Sequence, residues 1–359
     1  MDMSIHKFLV VAVSVASLLA GCSGGTGEEI YKDPSRKVEE RVKDLMGRMT
    51  IEEKVGQMCQ YVGLEHMGVS RAEIAEEDLN KSHSLGFYPN LPPAEMVEWT
   101  RRGIVGSYLH VISPSEANYL QSLAMESRLQ IPLIIGIDAM HGTGLVVGAT
   151  VYPTAIGQAA SFNPELVRQL NNETAVEMRA SGSQWTFGPN IEVARDARWG
   201  RTGDTYGEDP YLVSMLGVAA VQGLQGEDFS QPGKVIACAK HLAGGSQPLN
   251  GINGAPADFS ERTMREVFFP PFKACVDAGI FTVMPAHNEY NGIPCHGNKA
   301  LLDDVLRKEW GFEGFVVSDW MDVERMQDYH RVGETLQDVY KLTLDAGLDM
   351  HMHGPDFYW

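Results

Sequence analysis

The sequence predicts an α/β protein of the (β/α)8 TIM-like barrel type. Apolar strand candidates alternate with capped helices along most of the 359 residues, and this alternation predicts a parallel sheet covered on both faces. Polar residues follow nearly every strand candidate, as expected where a barrel site collects the C-terminal ends of many strands. An open doubly wound sheet is the alternative, but the sequence contains no GxGxxG or Walker loop to support one.

Capping and turn residues mark the predicted helix starts. Asp33-Pro34 predicts the first helix, with proline at the first helical position. Thr50 and Glu53 form a capping-box pattern that predicts a second helix. The further helix starts are predicted at Ser113, Asn163, Asp209, Ser260, Asn298 and near Glu334.

Seven short apolar runs predict strands, and an eighth, less regular, is predicted near Met58–Val62. The seven are Ile104–Leu109, Leu133–Ile137, Trp185–Ile191, Val235–Ala239, Phe281–Met284, Phe315–Val317 and Gly347–Met350. The polar residues at their ends are His110, Asp138, Glu192, Lys240 with His241, His287 with Asn288, Ser318 with Asp319, and His351. We expect these side chains to meet at one mouth of the barrel.

The N-terminus predicts export. The apolar run Phe8–Ala20 is too short to span a bilayer and has the length of a signal-peptide core. It ends in Leu-Ala-Gly-Cys, which resembles a bacterial lipobox and implies acylation of Cys22; an ordinary secretory signal is the alternative. The predicted boundaries are 1–21 for the signal peptide, 22–33 for a tether and 34–359 for the barrel domain. We therefore expect a protein attached to a bacterial membrane by this lipid alone, in the periplasm or at the cell surface.

The net charge bears on the kind of partner, and the cysteine spacing bears on disulfides and metal sites. The net charge of −18 opposes binding to nucleic acid. Beyond Cys22 there are four cysteines without CxxC or metal-type spacing, and these predict buried free thiols rather than disulfides.

Several strand ends carry residues suited to chemistry on sugars or metals. Asp319, after the strand in VVSDW, is placed to attack an anomeric carbon or to hold a metal, and His351 with His353 is an HxH pair that would complete such a metal site. Asp138 in IDAMHG is placed to accept strong hydrogen bonds from sugar hydroxyls or to act as an acid. Within RDARWGRTGDTYGEDP we expect Arg201 or Arg198 at the site, with the other charges in structural ion pairs.

Five motifs together resemble family 3 glycoside hydrolases. They are IDAMHG, RDARWGRTGDTYGEDPYL, AKHLAGG, NGIPCHGNKALLDDVLRKEWGFEGFVVSDW and AGLDMHM, in that family's order over roughly residues 34–353. The resemblance implies a barrel domain and retaining removal of a terminal β-linked sugar, with β-D-glucose or β-D-xylose as candidates and glucose favoured. It implies no metal and no organic cofactor.

The resemblance also implies residue roles. Asp319 matches the nucleophile, and Asp138 matches the carboxylate that binds hydroxyls of the terminal sugar. The other implied contacts of that sugar are Arg201, Lys240, His241, His287 and the aromatic wall Trp320. Two departures concern substrate detail, since His287 stands where the family often has tyrosine and Asp204 where it often has glutamate.

No acid/base residue is assignable from the motifs. In two-domain members of the family this glutamate lies in a following α/β sandwich domain, and the sequence ends at Trp359, so we expect that domain to be lacking here. Single-domain hexosaminidases of the family use an Asp-His pair after KHFPGHG, whereas this sequence has KHLAGGSQPLNGINGAPADF, in which Asp258 has no matching histidine. A carbohydrate-binding lipoprotein without catalysis is therefore the alternative of a different class.

Overall fold

The computed structural model describes residues 29–73 and 91–352. The chain divides into two compact units, Met1–Arg48 and Met49–Trp359. The predicted signal peptide, Cys22, most of the tether and His353 lie outside the described residues. The predicted start of the barrel domain at residue 34 stays a prediction.

The first unit contains a 3-10 turn, Ile30–Lys32, and helix α1, Val38–Arg48. The helix begins later than the Asp33-Pro34 pattern predicts. The Asp33 carboxylate instead accepts hydrogen bonds from the backbone N–H and hydroxyl of Ser35, at 2.9 and 2.7 Å. An Asx turn of this kind competes with helix initiation.

Eight parallel strands and one antiparallel hairpin make up the described sheets of the second unit. The strands are β1 Cys59–Val62, β2 Ser107–Leu109, β3 Ile134–Ile137, β4 Trp185–Thr186, β5 Cys238–Leu242, β6 Thr282–Pro285, β7 Glu289–Tyr290, β8 Ile293–Pro294, β9 Phe315–Val316 and β10 His351–Met352. One parallel sheet has the order β10-β1-β2-β3-β4 and another β5-β6-β9, while β7 and β8 form the hairpin. Parallel bridges connect Trp185 to Ile236, beside β4 and β5, and Val317 to Met350, beside β9 and β10. The chain is therefore α/β with parallel sheets, as predicted.

Helices connect the strands. They are α2 Ile51–Gln57, α3 Leu64–Glu73, α4 Pro93–Arg102, α5 Pro114–Glu126, α6 Ala155–Ala159, α7 Pro164–Ser181, α8 Pro210–Gln225, α9 Glu261–Thr263, α10 Phe269–Asp277, α11 Asp322–Asp328 and α12 Leu336–Ala346, with π-helical Met264–Phe268 and Ala300–Glu309 and 3-10 turns Thr202–Asp204, Leu249–Gly251 and Cys295–Gly297. The predicted caps at Thr50, Ser113, Asn163 and Asp209 are confirmed, because each side chain accepts a backbone N–H of the first turn.

Three strand predictions were misplaced. Val235–Ala239 was predicted where the strand is Cys238–Leu242. The last strand is His351–Met352 rather than Gly347–Met350, because Gly347 caps α12 in the left-handed conformation with φ of 109°. Trp185–Ile191 is a regular strand only over Trp185–Thr186, with one further parallel bridge from Asn190 to Lys240. The prediction near Met58–Val62 is confirmed by β1.

The core around the parallel strands is closely packed. Trp185 is fully buried, and its indole N–H donates to the Thr282 hydroxyl at 2.9 Å. Gly136 in β3 has no room for a side chain, since a Cβ there would lie 2.6 Å from the Phe187 ring. All four cysteines in the described residues are buried free thiols, as predicted, and burial raises the pKa of Cys59 to about 12.

No helix among the described residues has both the length and the apolar character needed to cross a bilayer.

Candidate active site

A pocket of about 320 Å³ lies at the C-terminal ends of the parallel strands. Its described lining residues are Asp138, Met140, His141, Thr154, Ala155, Arg201, Asp204, Lys240, His241, His287 and Asp319. Asp138 follows β3, Lys240 and His241 belong to the end of β5, and His287 and Asp319 follow β6 and β9. These five predicted strand-end residues therefore line one pocket.

Asp138 is held between two nitrogen donors. The Lys240 ammonium lies 2.8 Å from Asp138 Oδ1, and His110 Nε2 lies 3.1 Å from Oδ2. Burial alone would raise the pKa of the Asp138 carboxyl, but the lysine charge and the histidine hydrogen bond outweigh it and hold the pKa below its ordinary value. The carboxylate is therefore ionised and oriented, while 41% of the side chain stays accessible to a ligand.

Asp319 is the least exposed of the carboxylates that line the described pocket, at 13%. Its Oδ1 accepts the backbone N–H of Trp320 at 2.6 Å. Its own backbone N–H donates to His296 Nε2 at 2.9 Å. Its Oδ2 has no aligned hydrogen bond in the described residues, although His287 Nε2 and His241 Nε2 lie 3.0 and 3.3 Å away. Main chain and side chain of Asp319 are thus surrounded by nitrogen atoms.

His287 lies between two carboxylates. Its Nδ1 is 2.7 Å from Asp322 Oδ2, and its Nε2 faces Asp319. Burial would lower the pKa of His287, but the charges of Asp319 and Asp322 raise it well above its ordinary value. Reciprocally, burial would raise the pKa of Asp319, but the His287 charge holds it well below its usual range. The site therefore stabilises an ionised Asp319 beside an imidazolium.

His241 is paired with a buried carboxylate on its other side. Its Nδ1 lies 2.8 Å from Glu192 Oε2, and both residues are nearly inaccessible. Burial, assisted by the charge of Arg201, lowers the pKa of His241 despite the opposing effect of Glu192. A neutral His241 that donates from Nδ1 to Glu192 has a bare Nε2, which accepts from Arg201 Nη2 at 3.5 Å.

The AKHLAGG motif gives this arrangement close packing. A Cβ added at Gly245 would lie 2.7 Å from Glu192 Oε1 and 3.1 Å from Asn288 Oδ1. Glycine at this position therefore allows the loop after β5 to cover the Glu192–His241 pair.

The two candidate arginines of the arginine-rich motif lie in different surroundings. Arg201 lines the pocket, donates to Asp204 Oδ2 at 3.0 Å and lies 3.3 Å from His287 Nε2. Arg198 instead pairs with Asp196 and is 66% exposed. Trp199 is buried, and its indole N–H donates to Asn253 at 2.9 Å.

Two predicted site residues lie elsewhere. Trp320 is half-buried and packs against the core, and it is not among the described lining residues, so its role as an aromatic wall stays a prediction. His351 is fully buried, with Nε2 2.9 Å from Glu324 Oε1 and its ring beside Tyr340. His351 therefore belongs to the core and does not line the described pocket, where the predicted metal pair with His353 would need it.

Sequence reasoning missed the residues that orient the site. His296 and Asp322 were not singled out, although both flank Asp319, and Met140 and His141 line the pocket within a motif chosen for Asp138 alone. A useful signal was present for Asp322, since a carboxylate three residues after Asp319 begins α11.

One metal-type cluster occurs in the described residues. The ligand atoms of His241, His287 and Asp319 lie within 4.8 Å of one another. The Arg201 guanidinium lies 3.3 and 3.5 Å from the two histidine Nε2 atoms, so a fixed cation already lies beside this cluster.

Comparison with known proteins gives one family. The protein-family model described as the glycosyl hydrolase family 3 N terminal domain matches residues 50–358 of this chain. A beta-xylosidase of Formosa agariphila is 46% identical over 244 residues, covering 66% of this chain and 34% of the relative. The lysosomal beta glucosidase of Dictyostelium discoideum is 35% identical, covering 87% of this chain and 39% of the relative.

A solved structure is also similar. The beta-glucosidase from Listeria innocua in complex with glucose superposes with a TM-score of 0.76 at 31% identity, over 90% of this chain and 43% of that one. This chain thus spans less than half the length of each of these proteins.

Proposed function

This chain belongs to glycosyl hydrolase family 3, and from that premise we propose that it carries the nucleophile and sugar-binding pocket of a retaining β-glycosidase. The observation that carries the proposal is Asp319, an ionised carboxylate at a strand end, which lines the same pocket as the oriented carboxylate of Asp138. Hydrolysis of a terminal, non-reducing β-linked sugar is the reaction this pocket suits.

Asp319 acts as the nucleophile in this proposal. A carboxylate oxygen of Asp319 forms a bond to the anomeric carbon while the bond from that carbon to the leaving oxygen breaks. Water then attacks the glycosyl ester, releases the sugar with its original anomeric configuration and returns the carboxylate. The low pKa of Asp319 supports this role, because the group is ionised at neutral pH.

The remaining pocket residues bind the sugar. Asp138 accepts hydroxyl protons, and Lys240 and Arg201 donate to hydroxyl oxygens; charge-assisted hydrogen bonds of this kind are roughly twice as strong as neutral ones. His241 and His287 contribute further nitrogen atoms close to Asp319. Trp320 completes the wall in the proposal by analogy with the family.

A closed (β/α)8 barrel would account for this convergence. The two parallel sheets and the bridges from Trp185 to Ile236 and from Val317 to Met350 support a ring in the order β1-β2-β3-β4-β5-β6-β9-β10. In a closed barrel all C-terminal strand ends share one mouth.

The proton donor is proposed to come from outside the described pocket lining. Besides Asp319, the lining carboxylates are Asp138, paired with Lys240, and Asp204, paired with Arg201. An acid that protonates a leaving group at neutral pH needs a raised pKa, and Asp138 has the opposite shift.

Glucose is the proposed terminal sugar, and xylose is the second candidate. The similarity to a beta-glucosidase solved with glucose favours the first, and the 46% identity to a beta-xylosidase favours the second. A carbohydrate-binding role without turnover is the remaining candidate of another class, but an ionised Asp319 and an accessible Asp138 favour chemistry.

The test is hydrolysis of 2,4-dinitrophenyl β-glucoside and β-xyloside, with the first-formed sugar anomer recorded by proton NMR. Release of β-glucose supports the proposal, and faster release of β-xylose selects the second candidate. First-formed α-sugar, or no release of dinitrophenolate from either substrate, would contradict a retaining β-glycosidase.

Location is proposed from the sequence alone. The lipobox pattern before Cys22 supports export and acylation, and stable anchoring needs more than one acyl chain. Replacing Cys22 by Ser should release the protein from the membrane fraction. A Cys22→Ser variant that stays in that fraction would contradict lipidation.

A further inference from the structure

The segment between β6 and the π-helical Ala300–Glu309 surrounds Asp319 from two sides. His287 precedes the β7–β8 hairpin, and His296 follows it. His287 Nε2 lies 3.0 Å from the Asp319 carboxylate, and His296 Nε2 accepts the Asp319 backbone N–H at 2.9 Å. This one segment therefore contacts both the side chain and the main chain of Asp319.

Both histidines face the same second carboxylate. Asp322 Oδ2 lies 2.7 Å from His287 Nδ1 and 3.7 Å from His296 Nδ1. Asp322 itself is only 2% exposed, and its Oδ1 accepts from Arg325 at 2.8 Å. A buried carboxylate that bridges two elements in this way fixes the orientation of the rings it contacts.

The contacts assign the protons. His296 Nε2 accepts the Asp319 N–H, so the proton of a neutral His296 is on Nδ1, facing Asp322. Consistently, burial, opposed by the charge of Asp322, lowers the pKa of His296 to about 4. Nδ1 of His287 donates to Asp322, so a neutral His287 would present its bare Nε2 to the Asp319 oxygen, and two lone pairs would face each other at 3.0 Å.

We propose that Asp322 is a positioning residue for the nucleophile, which acts by keeping His287 as an imidazolium and His296 in its Nδ1–H form around Asp319. The inference rests on the proposed function, because it takes Asp319 as the nucleophile.

His287 also lies close to Arg201 and His241, besides the two carboxylates. Arg201 Nη1 lies 3.3 Å from His287 Nε2 and opposes its protonation, and the His241 ring lies 5.5 Å away, centroid to centroid. The two carboxylates, Asp319 and Asp322, favour protonation. Removing Asp322 leaves one carboxylate against Arg201, so the proton on His287 becomes easier to lose.

The β7–β8 hairpin is held in place by contacts other than those of Asp322. His330, beyond α11, lies 2.7 Å from Glu289 Oε1 and 3.2 Å from the His287 carbonyl. These contacts secure the hairpin independently of Asp322, so an Asp322→Asn variant retains an attachment for the segment that carries both histidines.

The experiment uses the 359-residue chain and three variants, Asp322→Asn, Asp322→Glu and Asp328→Asn, the last a matched control exposed on the same helix. Histidine imidazole NMR with labelled histidine, with His287 assigned from His287→Gln, measures the protonation of His287 without any activity. An opposite charge at this distance moves a pKa by about 1–3, so we expect the midpoint of His287 to fall by about that amount in Asp322→Asn only. Asp322→Glu should restore it in part.

The second readout is the rate of covalent labelling by an activated 2-deoxy-2-fluoro-β-glucoside as a function of pH. We expect Asp322→Asn to lose about tenfold or more near pH 8, following the same shift of about 1–3, and to keep the wild-type rate near pH 5, where His287 is protonated in both proteins. A uniform decrease at every pH, or an unmoved His287 midpoint, would overturn the proposal. Failure of wild type to label would count against the proposed function, and the NMR result alone would then decide whether Asp322 controls His287.

Discussion

Lys240 and Asp138 form an ion pair across the pocket, with Nζ 2.8 Å from Oδ1, and this contact joins the end of β5 to the end of β3. The lysine is 8% exposed and the aspartate 41%, so the pair has one buried and one accessible member. Asp138 is therefore the member of the pair that is exposed in the pocket.

Replacing Asp138 by Asn should weaken binding of a terminal sugar. The change removes a charged acceptor while leaving the shape nearly unchanged, and a hydrogen bond to a charged group contributes about 1.5–3 kcal/mol. Calorimetry with a non-hydrolysable β-thioglucoside measures this loss. Asp196→Asn is the matched control, because Asp196 pairs with exposed Arg198 outside the pocket lining. Equal affinity of Asp138→Asn and wild type would remove Asp138 from the sugar site.

The same carboxylate should make stability depend on pH. Its pKa is depressed in the folded state, so its contribution is present above the unfolded pKa of about 3.9 and is lost as pH falls through the lower folded value. We expect Asp138→Asn to be less stable than wild type at pH 6 by no more than about 1 kcal/mol, since the side chain is partly exposed. Denaturant unfolding at pH 6 and pH 2 measures it. A difference that grows on acidification would contradict the sign of the shift.

Arg201 and Arg198 should differ in their effect on labelling by an activated fluoroglucoside. Arg201 is partly buried among Asp204, His241 and His287, whereas Arg198 is exposed. Arg201→Met should slow labelling by about tenfold or more, the equivalent of one charge-assisted hydrogen bond, and Arg198→Met should leave the rate unchanged. Equal effects of the two variants would show that the motif acts through folding.

Leaving-group quality should control how fast this chain forms the glycosyl ester. General acid catalysis contributes about 10²–10⁴-fold. Among the described lining carboxylates, Asp138 and Asp319 have lowered pKa values, and Asp204 is paired with Arg201. We therefore expect 2,4-dinitrophenyl β-glucoside to react while cellobiose is hydrolysed negligibly. Robust cellobiose hydrolysis by the same preparation would place an acid/base within these residues, with Asp258 and Glu289 the first to substitute.

The sequence was sufficient to predict the strand ends of the site. Asp138, the Lys240–His241 pair and Asp319 each follow an apolar run directly, and local alternation predicts where such runs end. The misplaced last strand also has a local cause, because Gly347 caps α12 with a φ of 109°. In the sequence alone, a glycine at this position fits a strand end and a helix cap equally well.

The contacts that orient the site were beyond sequence reasoning. His351 was predicted to follow a strand as His287 does. His351 instead lies within β10 and is buried against Glu324, whereas His287 follows β6 and faces the pocket. Asp322 and His296 act across 26 residues of chain, and nothing in local pattern predicts that two such residues face each other.

Covalent labelling of Asp319 tests the central claim most directly. The chain is incubated with 2,4-dinitrophenyl 2-deoxy-2-fluoro-β-glucoside, and intact mass followed by peptide mapping locates the sugar. The account predicts one fluoroglucosyl group per chain, esterified to Asp319, and no label in Asp319→Asn. A label on any other carboxylate, undiminished labelling of Asp319→Asn, or an unlabelled wild-type chain would contradict Asp319 as the nucleophile.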